Sequence, residues 1–300
     1  MIPSSLRPGD LVGITCPAGY VSEERVAYAV TLLQQWGYRV RLGRTVGNAF
    51  HYFAGDDATR LADLQDMLDD HEVKAILMGR GGYGMSRIID GLDFSAFCRQ
   101  PKWICGFSDI TVLHNHIQAL YGIPTLHSPM CGAFQPGKED AYYIRSLQQA
   151  WSGSLEEYTF DPHTHNRYGQ ATGILTGGNL AMLAHLTGSV SEVDTAGKIL
   201  FIEDIGEHLY NIDRMLYQLR RAGKLRDLAG LMVGSFTDLQ DTERPFGQSV
   251  EDIIKDKVAD YDYPVCFNVP CGHQEENITL ILGAKVNLEV QAEAARLRFV

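Results

Sequence analysis

Long apolar runs are missing from this 300-residue chain; none approaches the roughly 18 residues that a membrane-spanning helix requires. Its opening residues, MIPSSLRPGD, lack the apolar segment of a secretory leader, so a cytoplasmic protein off the membrane is expected. Positive charge is scarce: 26 Lys and Arg face 37 Asp and Glu, a net charge of −11. That balance argues against nucleic acid and anionic lipid surfaces, both of which select clustered Lys and Arg. Cysteines are few and scattered, at Cys16, Cys98, Cys105, Cys131, Cys266 and Cys271, with no C-x-x-C pair. They read as reduced, packed thiols rather than a disulfide framework. No metal-ligand spacing, internal repeat or low-complexity tract occurs, and neither a metal nor a cofactor is expected. What is present is a globular composition, 45% hydrophobic and 21% charged, in a chain long enough for one large domain or two ordinary ones.

Periodicity divides the chain. DLVGITC, YRVRLG, VKAILMG and WICGF read as strands, and they alternate with helical patterns at Glu23 to Trp36 and Asp57 to Asp70. A loop and helix at MSRIID and a helix from about Asp109 to Leu120 complete the series. Such alternation implies βαβ units on a parallel sheet, so residues 1–130 form an α/β domain. Residues 131–167, rich in Gly, Pro, His and polar groups, read as a connection with one helix near Glu139 to Trp151. Residues 168–300 mix the strand-like KILFIED, LAGLMVGSF, YPVCFNVP and ITLILGAKVNLEV with helices near 179–187, 209–221 and 249–259, an α+β domain.

Two turns carry candidate chemistry. GRGGYG, residues 79–84, follows a strand and fits the G-x-G-x-x-G dinucleotide pattern, with Asp109 near the end of the next strand. The pattern normally follows the first strand of its domain, whereas two strands precede this one. A tight turn with exposed backbone N–H groups, half of an oxyanion site, is the competing reading. CGFSDITVLH then sets Ser108 between a strand and a helix, the setting of a nucleophile elbow. Only half of the G-x-S-x-G motif is there, since Ile110 stands at the second glycine, and Ser108 could instead cap its helix. If Ser108 is a nucleophile, the N–H of Asp109 and that of Gly82, or its neighbour Gly81, are the oxyanion donors.

A serine nucleophile needs a base and a group that orients the base. His114 and His116 sit two apart, fit poorly as a metal pair and point to different sides of a helix. His163 and His165 fall in the polar connection and are expected to be solvated. His273, in the loop VPCGHQEEN, is the candidate base. Among Glu203, Asp204 and Glu207, Glu203 directly ends the apolar strand KILFI and is preferred as its partner. Asp204 should point the opposite way, and Glu207 could simply favour a helix N-terminus.

In order along the chain, YFAGDDATRLADL, GRGGYG, CGFSDIT, GILTGGNLAML, ILFIEDIGEHLYNIDRML and GHQEENITLILGAKV resemble the LD-carboxypeptidases, a family of serine peptidases also called muramoyltetrapeptide carboxypeptidases. The resemblance spans nearly the whole chain. It implies Ser108 as nucleophile, Glu203 as acid partner, His273 as base, and backbone donors at Asp109 and in the GRGG loop. It further implies an N-terminal flavodoxin-like domain, a C-terminal swivelling-type domain and a homodimer. The implied substrate is a small peptide, cytosolic murein tetrapeptide, cut at the L,D-bond to its terminal D-alanine during cell-wall recycling. A related branch cleaves peptidyl-nucleotide antibiotics of the microcin C type. That branch would suit an aromatic nucleobase platform; the connection offers Tyr158, Phe160 and Tyr168 but no tryptophan after Trp151, which favours the murein branch. An NAD-type oxidoreductase built on GRGGYG and a non-catalytic peptide-binding protein stand as the rival readings.

Overall fold

A computed structural model describes residues 1–300, which divide into two units. The first holds Met1–Leu155 with Ile278–Ile281, the second Glu156–Asn277 with Leu282–Val300. No helix is long and apolar enough to cross a membrane.

The first unit is built on β1 (Leu11–Thr15), β2 (Arg39–Leu42), β3 (Val73–Met78), β4 (Trp103–Gly106) and β5 (Thr125–His127). They pair in parallel in the order β2-β1-β3-β4-β5, and β11 (Leu280–Leu282) adds beyond β5. This is the flavodoxin-like order, whose ligand crevice lies at the carboxyl ends of β1 and β3, where the winding reverses. Strands β1 and β4 are buried at every position, as expected for a sheet covered on both faces. The connections are α1 (Glu23–Gln35), α2 (Asp57–Asp69), α3 (Ser95–Arg99) and α4 (Thr111–Tyr121), with α5 (Tyr142–Ser152) following β5. Helix α1 begins where the Ser22 side chain accepts from the Arg25 N–H, and it buries Val26, Ala29, Leu32 and Leu33 on one face. Helix α2 is capped in the same way by Asp56. MSRIID is not an α-helix: it forms two 3-10 turns, Met85–Arg87 and Ile89–Gly91, interrupted at Ile88, whose φ of −121° is not helical.

The second unit carries a mixed sheet of β6 (Glu157–Phe160), β7 (Gly169–Asn179), β8 (Ile199–Ile205), β9 (Gly230–Thr237), β10 (Val265–Cys266), β12 (Lys285–Val290) and β13 (Ala295–Phe299), in the order β10-β9-β8-β7-β12-β13-β6. Strands β7 to β10 pair in parallel, and β7, β12, β13 and β6 in antiparallel fashion. Helices α6 (Leu180–Leu186), α7 (Leu209–Arg221) and α8 (Val250–Lys257) share a core with the parallel half, through Ile202, Ile212, Leu216, Val233, Ile253 and Ile254. A Ser249–Asp252 capping box starts α8.

Candidate active site

Ser108 sits at the carboxyl end of β4 with φ of 66°, one of four non-glycine residues with positive φ. A side chain there costs on the order of 1–2 kcal/mol, so the surrounding fold must impose the turn. Three contacts do. The Gly106 carbonyl accepts from the Ser128 N–H (3.1 Å) and from His114 Nε2 (2.8 Å), which must donate because a carbonyl cannot. Burial pushes His114 down to about 4, so it stays neutral and keeps that Nε2–H. Ile110, fully buried at the position of the missing glycine, packs over Gly106, whose own Cβ would lie 3.2 Å from Ile110 Cγ1. Ser108 is not a cap: neither the 3-10 turn Ser108–Ile110 nor α4 has a side-chain cap bond, and the residue preceding the turn is Phe107.

The glycine loop lies against this turn. A Cβ on Gly81 would stand 3.0 Å from Ser108 Cβ and 3.2 Å from its Oγ, so any larger residue would crowd the turn. The Gly81 carbonyl accepts from the Gly19 N–H at 2.9 Å, linking the loops after β1 and β3. In a trans peptide the Gly82 N–H then points away from Gly19, and it makes no backbone hydrogen bond. The buried Asp109 carboxylate accepts from the Met85 N–H at 2.8 Å. Arg60, with no side-chain exposure, donates to the carbonyls of Pro17 (2.5 Å), Gly84 (3.0 Å) and Gly55 (3.2 Å) and pairs with Asp57. Sequence reasoning missed Arg60. Two of its partners, the Pro17 and Gly84 carbonyls, are remote in the chain, and only its place on the buried face of α2 hinted at a role. The dinucleotide reading of the loop loses its physical basis. The loop opens onto 3-10 turns rather than a helix N-terminus able to hold a pyrophosphate.

In the second unit Glu203 and His273 meet. Glu203, on β8, is 0% exposed; its Oε2 accepts from His273 Nδ1 at 2.7 Å and from the His273 backbone N–H at 3.2 Å. Since the carboxylate only accepts, Nδ1 carries the proton and Nε2 of the neutral ring is left as a base. The His273 carbonyl accepts from Thr237 Oγ1 (2.8 Å) and the Gly272 N–H donates to Asn277 Oδ1 (2.8 Å), which fixes the loop. A Cβ on Gly272 would lie 2.8 Å from Glu203, so nothing larger fits beside the pair. The competing carboxylates are engaged elsewhere. Asp204 accepts from Asn179 Nδ2 (3.0 Å) and the N–H groups of Ala181 (2.9 Å) and Ile205 (2.8 Å). Burial nevertheless pushes Asp204 up to about 6. Glu207 accepts from Asn211 one turn along α7. His163 and His165 are half-buried and pack against Phe267 rather than standing in solvent; a ring on the edge of an apolar core gains from that contact.

A strained serine after a parallel strand, and a buried carboxylate on an imidazole, are the working parts of a nucleophilic hydrolase. The LD-carboxypeptidase N-terminal domain matches residues 12–128, and the LD-carboxypeptidase C-terminal domain matches residues 172–288. The probable murein peptide carboxypeptidase of Bacillus subtilis is 37% identical over 297 residues, 98% of this chain and 93% of that protein. The crystal structure of muramoyltetrapeptide carboxypeptidase from Oxalobacter formigenes superposes with a TM-score of 0.88 at 28% identity, covering 96% of this chain and 98% of that one. The microcin C7 self-immunity protein MccF, in complex with aspartyl sulfamoyl adenosine, shares the fold with a TM-score of 0.88 at 21% identity, over 99% and 98% of the two chains. The chain belongs to the LD-carboxypeptidase family of serine peptidases.

Proposed function

We propose that this protein is a murein tetrapeptide carboxypeptidase, in which Ser108, Glu203 and His273 act as one triad and hydrolyse the L,D-bond to the terminal D-alanine. The observation that carries this reading is the 2.7 Å bond from His273 Nδ1 to the buried Glu203, which leaves Nε2 as base. The relatives named for murein peptides support the substrate class. MccF supports the fold alone at its level of identity.

The chemistry follows in two halves. His273 Nε2 takes the Ser108 proton as Oγ attacks the carbonyl carbon before D-alanine. The developing oxyanion is bound by the N–H groups of Asp109 and Gly82. The tetrahedral intermediate collapses, His273 gives its proton to the D-alanine nitrogen, and free D-alanine leaves an acyl-Ser108 ester. Water then gives a proton to His273 Nε2 and its hydroxide to the ester carbon. The shortened peptide departs and Ser108 regains its proton. The buried Glu203 carboxylate stabilises the imidazolium in both halves. Ser108 belongs to one unit and the Glu203–His273 pair to the other. The family resemblance carries the further expectation of a cytoplasmic homodimer serving cell-wall recycling.

Mass analysis of purified protein with murein tetrapeptide tests the reading. The expected result is loss of one alanine, with no cleavage of the analogue ending in L-alanine. Cleavage of a peptidyl-nucleotide in place of the tetrapeptide would transfer the chain to the microcin branch. An unchanged tetrapeptide with tight peptide binding would make it a binding protein.

A further inference from the structure

Two buried groups beside the Glu203–His273 pair lack partners, one an acceptor and one a donor. Glu203 places both of its histidine bonds on Oε2, and its buried Oε1 has no hydrogen-bond partner. The buried Oγ of Ser235, on the neighbouring strand β9, has none either. Native interiors rarely leave such groups unmatched, because each forfeits its bonds to water. Here the two residues lie on neighbouring strands. The parallel register pairs Ile202 with Val233 and Asp204 with Phe236, with a shift between, so Gly234 and Ser235 together face Glu203. The register shift is a β-bulge, a device common next to active sites. The Ser235 N–H is fixed on the Cys271 carbonyl at 3.0 Å. A single point beside Gly272, where its Cβ would stand, lies 2.6 Å from Ser235 Oγ and 2.8 Å from Glu203 Oε2. The other titratable groups around Glu203 are engaged: the Cys271 thiol, pushed well up by burial and by Glu203, donates to Asn277 Oδ1, and Asp204 faces the start of α6.

We propose that Ser235 is a positioning residue for the Glu203–His273 pair. Its side chain turns to donate to Glu203 Oε1 as the His273 imidazolium forms, and so holds the carboxylate fixed in orientation against the ring. No bond to substrate is involved; the hydroxyl acts only through Glu203. The inference rests on the triad reading above, and one of its readouts is independent of turnover.

Full-length Ser235→Ala and Ser235→Thr proteins are compared with the unsubstituted protein for kcat and KM on murein tetrapeptide, for pH profile, and for the proton resonance of His273 Nδ1–H. The alanine variant is expected to lose about tenfold in kcat with KM unchanged, the worth of one buried hydrogen bond to a charged group. Glu203, without a competing donor, pulls harder on the imidazole proton, so the acid limb of the kcat/KM profile moves to higher pH and the resonance moves downfield. Threonine, which keeps a hydroxyl and suits a strand, restores all three. An alanine variant with undiminished kcat and an unmoved resonance overturns the proposal. If the unsubstituted protein does not cleave the tetrapeptide, the functional reading falls. The resonance comparison still decides for or against Ser235.

Discussion

In the first unit the candidate nucleophile is presented by its backbone; in the second, two side chains present each other. Ser108 owes its position to a left-handed turn that bonds to Gly106, the close-packed Gly81 and the Arg60-anchored loop hold in place. Glu203 and His273 lie 70 residues apart and are joined by a direct bond at 2.7 Å. The difference is one of error tolerance. A strained turn fails when any neighbour changes shape, whereas a buried ion-capable pair fails when either charge partner is removed. The first unit should therefore be sensitive to volume and the second to charge.

Four tests probe that contrast, from the largest effect to the smallest. Ser108→Ala removes the proposed nucleophile, and turnover of murein tetrapeptide should fall by about 10⁴-fold or more with melting temperature preserved. Next, Glu203→Gln keeps shape but not charge and should cost about 10³- to 10⁴-fold in kcat, against less than about threefold for Glu207→Gln. A larger loss at Glu207 would move the orienting role to α7. The third concerns stability. With its pKa raised by burial to about 6, Asp204 costs nothing while protonated in both states. As pH rises from about 4 to 6 the unfolded chain ionises first, and stability falls by about 3 kcal/mol, a deficit that persists above pH 6. Asp204→Asn should remove that slope in denaturant titrations at pH 4 and 7; an unaltered slope would show that its three N–H donors offset burial. Finally, Gly81→Ala adds a single methyl against Ser108 and should lower kcat by about 10²-fold with little change in KM. A harmless alanine there would contradict a volume-sensitive first unit.

How far each part could be read from the chain follows the same contrast. The alternation of strands and helices made the α/β first domain legible, and the ordered motifs carried the family. The preference for Glu203 over Asp204 and Glu207 rested on strand parity and on where KILFI ends, both local properties, and Glu203 is the one of the three that bonds His273. The choice between elbow and cap was not legible at Ser108, because it turns on a φ angle that GFSD does not encode by itself. Ile110 looked like a broken motif, yet it is the residue that packs over Gly106. Arg60 and Ser235 were invisible for a different reason. Two partners of Arg60 are carbonyls 24 and 43 residues away, and Ser235 stands opposite Glu203 only once β8 and β9 are in register.

The central claim is that the Glu203–His273 pair activates Ser108. Labelling with a fluorophosphonate, followed by peptide mass mapping of the adduct, tests it directly, because only an activated serine reacts. The account predicts one adduct, on Ser108, in the unsubstituted protein and its loss in both His273→Ala and Glu203→Ala. An adduct on another residue, or one on Ser108 that forms equally well without His273, would contradict it.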